Sequence, residues 1–134
     1  MRALLLFLAA CGAPMAFSVD PGFSSSQDVE IARAASAWNA HVKPEHRITL
    51  TGGQWIVYRR ETPGGWNGSC SRSEKWIAIR GEPIGATTYA VALHEFGHAL
   101  NLGHTPTGLM MPFTVSEEFT PEVLNECRRA GACR

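Results

Sequence analysis

The 134-residue chain has no surplus of charge of either sign: twelve Lys and Arg balance twelve Asp and Glu, and the formal net charge is zero. No run of basic residues is present, so there is no field to gather phosphates or anionic headgroups, and nucleic acid is not expected as a partner. The four cysteines form no CxxC pair, which argues against a closed structural zinc site built on thiolates. No apolar run reaches the about 20 residues that cross a bilayer, so no transmembrane span is expected. At this length, with 45% hydrophobic and 18% charged residues, one small domain fits and a second has no room.

What is present begins with an export pattern. Residues 1–16 carry one Arg at position 2, an uncharged apolar run from Ala3, and then small residues, the order of a signal peptide. Leu8, Ala9, Ala10 and Cys11 resemble the lipobox of bacterial lipoproteins, in which the Cys becomes a lipid anchor; plain cleavage near Ala13 or Ala16 is the alternative. Either route predicts an exported protein, with residues 17–134 as its domain. Export favours a disulfide, and with Cys11 removed or lipidated the partners are drawn from Cys70, Cys127 and Cys133. Cys127 with Cys133 is the short loop; Cys70 with either one ties a loop to the C-terminus. Spacing does not choose between them.

Hydrophobic periodicity then orders the chain. Val29, Ile31, Ala32, Ala35, Trp38 and Val42 recur at helical spacing and predict a helix from about Gln27 to His41, ended by Pro44. Ile48–Leu50 and Trp55–Arg59 predict two short strands or one bent strand. A Gly-rich loop is expected over Glu61–Ser73, followed by a strand over Lys75–Arg80 that is buried unevenly on its two faces. Thr87 or Thr88 is the expected N-cap of the next helix, with Tyr89, Ala90, Leu93 and Leu100 as its packing surface. Thr120 and Pro121 mark the start of a last helix, docked by Val123, Leu124 and Cys127.

The chemistry lies in HEFGHALNLGH, His94 to His104. His94 and His98 are one helical turn apart on one face, where two imidazole nitrogens hold one divalent cation. Glu95 projects about 100° round the helix, beside the cation, which is the position of a general base. His104 comes six residues after His98, roughly 240° further round, so the helix must stop and double back before a third imidazole reaches the cation. Asn101 and Gly103 are the residues expected to take the left-handed conformation that does this. Three neutral imidazoles leave a position for water, and that predicts one catalytic zinc ion in an open site. An isolated HExxH arises by accident on amphipathic helices; the joint requirement of His94, Glu95, His98 and His104 weighs against accident here.

These residues resemble the HExxHxxGxxH signature of the metzincin metallopeptidases, with Asn101 in place of the family's Gly. Leu109–Pro112, LMMP, is similar to the Met turn of the matrixin branch, which makes Met110 the floor below the metal; Met111 is read as core filling. The resemblance covers roughly Gln27–Arg129 and is specific from Tyr89 to Pro112. It implies an α+β fold: a minimal metzincin-like domain with a small twisted mixed sheet, an N-terminal helix carrying Trp38, an active-site helix, the Met turn and a C-terminal helix. It implies an endopeptidase acting on protein or peptide substrates, with the substrate backbone laid antiparallel along an edge strand; Trp76–Arg80 or the loop before it are the candidates for that edge. Pro112 and Phe113 would wall the pocket for the side chain after the scissile bond. A monomer is expected.

The chain departs from the family in several places. Only Thr105–Leu109 separate His104 from Met110, a short interval for a matrixin. The only tyrosines are Tyr58 and Tyr89, so no Tyr follows the Met turn as in astacins. Acidic residues between the strands are too sparse for structural calcium, and His41 and His46 do not make a second zinc site. Two rival readings are a site whose third ligand is Glu118, and an exported zinc-binding module without protease activity.

Overall fold

The computed structural model describes residues 15–61, 65–112 and 116–134. Most of the expected export signal, Cys11 included, lies outside them, as does Phe113. Five strands form one mixed sheet in the order β2-β1-β3-β5-β4: β1 Met15–Val19, β2 Ile48–Thr49, β3 Trp55–Arg59, β4 Gly68–Ser71 and β5 Trp76–Ile79. β1 runs parallel to both β2 and β3, β3 runs parallel to β5, and only β4 is antiparallel. Helices α1 Ser25–Asn39, α2 Thr88–Ala99 and α3 Pro121–Arg129 complete the α+β architecture expected above.

Each helix begins where its capping chemistry directs. Ser24 accepts from Gln27 N–H while the Gln27 side chain accepts from Ser24 N–H, a reciprocal capping box that starts α1 ahead of the expected position. Thr87, of the two threonines considered, caps α2 by accepting from Ala90 N–H. Thr120 caps α3, with Pro121 in the first turn. The buried stripe of α1 is Ile31, Ala34, Ala35 and Trp38; Val29 is 60% exposed and Ala32 is also exposed, so both fall outside the face expected for them. The reason is geometric: at about 100° per residue, positions 35, 34 and 31 lie within about 60° of Trp38 around the helix, whereas 32 and 29 lie about 120° and about 180° away.

α1 packs on α2, and both cover the sheet. Trp38, fully buried, donates its indole N–H to Leu93 O across the helix pair at 2.8 Å. Phe17 of β1 meets Phe96 of α2 edge to face at 5.2 Å between centroids, a favourable aromatic geometry. Asn39, at the end of α1, exchanges two 2.8 Å hydrogen bonds with the backbone of Ile48 and so anchors the edge strand β2.

Two strands depart from the sequence expectation. Residues 68–71, expected to be loop, form β4, paired with β5 from Gly68↔Ile79 to Ser71↔Trp76. Gly-Ser-Cys-Ser has little intrinsic strand preference; the partner strand imposes the conformation. In β5, Ile77, Ala78 and Ile79 are all fully buried, so the strand is covered on both faces. Ala78 lies between Tyr58 and Ser69 as cross-strand neighbours, and those share its side of the sheet. The last two cysteines form the bridge Cys127–Cys133, the short-loop alternative, and Cys70 is a free thiol.

Candidate metal centre

α2 presents His94 and His98 one turn apart and then ends at a defined stop. Asn101 adopts φ 73°. Leu102 N–H donates to Gly97 O and Asn101 N–H to His98 O, each at 2.9 Å. This is the Schellman pattern, with Asn rather than Gly in the left-handed position. Gly103, expected to share that role, does not have a positive φ. Instead its N–H donates to Glu126 Oε1 of α3 at 2.9 Å, so the returning chain is held from outside rather than by its own backbone preference.

The reversal brings His104 to the other two imidazoles. One ligand nitrogen from each of His94, His98 and His104 lies within 4.8 Å of the others. The His104 ring centroid is 5.3 Å from that of His94 and 4.9 Å from that of His98. Behind the first two rings, His94 Nδ1 faces Leu109 O at 2.8 Å and His98 Nδ1 faces Leu102 O at 2.9 Å. A carbonyl oxygen only accepts, so Nδ1 carries the proton in both rings and the Nε2 lone pairs turn inward. Those two Nε2 atoms are 3.0 Å apart. Two lone pairs aimed at one point repel unless a cation lies between them, and the donor set is that of zinc. Burial pushes His94 down to about 4, against the backbone hydrogen bond to Leu109 that raises it, with smaller lowering contributions from His98 and His104. Burial also lowers His98. Neutral imidazole, the form that ligates, is therefore the resting state near pH 7.

Glu95, next to His94 on α2, lines the same cavity as the three imidazoles. It is 5% exposed, its Oε2 has no hydrogen-bond partner among the described residues, and burial raises its pKa to about 8. A buried carboxyl oxygen without a partner is costly and uncommon in a purely structural setting. Gly68 of β4 stands directly over it: a Cβ there would be 2.5 Å from Glu95 Oε1.

Met110 is fully buried at the end of a one-turn 3-10 helix, Gly108–Met110, and packs under the histidine helix against Gly97. Thr105 N–H donates to Met110 O at 3.0 Å, tying the residue after His104 to this turn. Met111 is not core. It is half-buried and, with Pro112, lines a cleft of about 680 Å³ over the histidines. The opposite wall is β4 and the residues before it, Gly65 to Cys70, and Val91 contributes from α2. The loop before Trp76 is one of the two edge candidates expected from sequence, but a strand within it is not expected because pairing sets that strand; the available signal was Gly68, since a strand glycine marks close backbone approach. Glu118, the rival third ligand, is exposed and is not among the grouped metal-ligating side chains. His41 stacks on Phe119 at 4.5 Å and His46 follows Pro44 in a separate turn, so neither joins the site.

The sequence profile of the matrixin family matches residues 21–125. Matrix metalloproteinase-25 of Homo sapiens and of Mus musculus are each 48% identical to the chain over 42 residues, 30% of its length. That segment is 8% of the human protein and 7% of the mouse protein, so the chain spans a small part of these relatives. With three histidines converging at the end of a helix, a methionine beneath them and a family match over most of its length, the chain belongs to the matrixin family.

Proposed function

We propose that the chain is a zinc-dependent endopeptidase in which His94, His98 and His104 hold one zinc ion and Glu95 is the general base. The observation that carries this reading is the pair of Nε2 atoms 3.0 Å apart, each ring fixed by a backbone carbonyl behind it, together with a buried carboxyl oxygen, Glu95 Oε2, that has no partner among the described residues. A zinc ion held by His94, His98 and His104 would supply Lewis acidity to the reaction, and its positive charge would favour the ionised form of Glu95. Glu95 Oε2 then accepts a proton as water oxygen adds to the scissile carbonyl carbon, and returns it to the amide nitrogen as the C–N bond breaks. Among the described residues β4 pairs with β5 on one side only and ends the sheet; that edge suits an extended peptide backbone. Pro112 and Met111, which line the cleft, would contact the side chain after the scissile bond, and Phe113 would continue that wall. Met110 and Asn101 serve the site structurally, Met110 as its floor and Asn101 as its turn, and Gly103 serves through its hydrogen bond to Glu126.

We also propose export, by a signal within residues 1–16 and with or without a lipid anchor at Cys11. The Cys127–Cys133 bridge supports an oxidising destination, and the pairing of Met15 and Ala16 with β2 supports cleavage ahead of Met15. Among the described residues no helix is long and apolar enough to cross a membrane.

The zinc-loaded protein, incubated with a mixed peptide library, is expected to cleave internal bonds. Glu95→Ala should abolish cleavage and keep its zinc, and His104→Ala should lose the zinc. Zinc binding by the wild type without cleavage of any peptide would leave a metal-binding module in place of the enzyme.

A further inference from the structure

Asn101 stands where the family signature carries glycine, and its φ of 73° is a conformation that side chains disfavour. Something must hold it there. Arg72, the residue after β4, reaches across the cleft end: its Nη1 donates to Asn101 Oδ1 at 2.9 Å and its Nε to Ala99 O at 3.3 Å. The second bond lands on a carbonyl of the last turn of α2, where a helix leaves acceptors without partners and where positive charge is favourable. Glycine at 101 would offer no side-chain acceptor, so the Arg72 Nη1 bond to residue 101 exists only because Asn is there, and the Ala99 bond alone would remain. Three residues beyond Asn101 the chain delivers His104.

We propose that Arg72 is a positioning residue for the metal site: by clamping Asn101 in the left-handed conformation it sets where the third imidazole returns, and it links the end of edge strand β4 to the metal. The metal-holding part of the proposed function underlies this inference; the peptidase part does not. Arg72 makes no ion pair among the described residues, and both of its described acceptors are neutral. The clamp therefore draws on a full guanidinium charge that no carboxylate has claimed.

The test reads metal affinity, by competition with a chromophoric chelator, and the visible absorption of the cobalt-substituted protein, with no peptide substrate involved. Arg72→Met is expected to weaken zinc binding about tenfold or more, the usual cost of losing a residue that supports a metal ligand, and to alter the cobalt spectrum. Asn101→Ala should do the same. Asn101→Asp keeps an acceptor facing Arg72 and should bind zinc as tightly as the wild type. The decisive comparison is made in Asn101→Gly, because glycine holds the turn unaided: adding Arg72→Met there should change zinc affinity less than twofold. An equal loss in both backgrounds, or no loss from Arg72→Met in the wild type, overturns the proposal. If Arg72→Met does not fold, Asn101→Ala alone decides, and wild-type affinity in that variant overturns it. A wild type that binds zinc and cleaves nothing sinks the peptidase reading and leaves this one standing.

Discussion

Gly97 lies against the sulfur of Met110 so closely that a Cβ on residue 97 would overlap Met110 Sδ and stand 3.1 Å from Trp38 Cζ2. The histidine helix, the Met turn and the tryptophan of α1 are thus one packing unit, and the residue between Phe96 and His98 has no space for a side chain.

In an exposed helix, replacing Gly by Ala gains about 1 kcal/mol. At residue 97 the sign reverses, because overpacking a filled core costs typically about 1–3 kcal/mol. Gly97→Ala is expected to lower the urea midpoint of the metal-free protein. A stabilised variant would show that Met110 does not sit where it is described.

Zinc should stabilise the fold by mass action, since it binds the native arrangement of His94, His98 and His104 and not the unfolded chain. With free zinc at a hundredfold excess over Kd, the gain is about 2.7 kcal/mol. Thermal melts with and without chelator should separate accordingly in the wild type and coincide in His98→Ala.

Glu126, which holds the residue before His104, offers a pH test. Its carboxylate accepts from Arg129 and from Gly103 N–H, and these, Arg129 first, hold it down at about 2 against an ordinary 4.5. The folded state therefore binds fewer protons than the unfolded one as pH falls through this window. The stabilisation is complete above pH 4.5 and lost as pH drops toward about 2. Urea midpoints of wild type and Glu126→Gln should differ at neutral pH and converge as pH falls from about 5 to about 2. A constant gap would rule Glu126 out as the source.

The Cys127–Cys133 bridge spans six residues, and a loop of that size restricts the unfolded chain by about 2 kcal/mol in the chain-entropy account. Reduction, or Cys133→Ser, should cost no more than about that amount. Cys70→Ser, which breaks no bridge, should retain the melting temperature within a degree or two, about what a substitution of under 0.5 kcal/mol gives.

How much of this was legible beforehand follows the range of the interactions. α2, its Thr87 cap, the left-handed Asn101 and the Thr120–Pro121 start of α3 rest on contacts within a turn or two, and residue type carries them. The Gly-Ser-Cys-Ser strand, the two-sided burial of Ala78 and the cleft position of Met111 rest on partners far along the chain, and local pattern is blind to those. The exposure of Val29 and Ala32 belongs to the same class, since the neighbour α2 decides which part of a broad apolar stripe is covered.

By itself the sequence determined the candidate groups: three imidazoles that could hold a metal, a carboxylate beside the first, and that the helix carrying two of the imidazoles must stop before the third. Only the tertiary structure decided what aims them. The carbonyls of Leu109 and Leu102 orient two rings, Met110 supports the helix from below, Gly68 brings an edge strand over Glu95, and Arg72 and Glu126 hold the returning turn. The physical reason is that ligand identity is a property of side-chain chemistry, whereas ligand direction is fixed by hydrogen bonds and packing from residues distant in the chain.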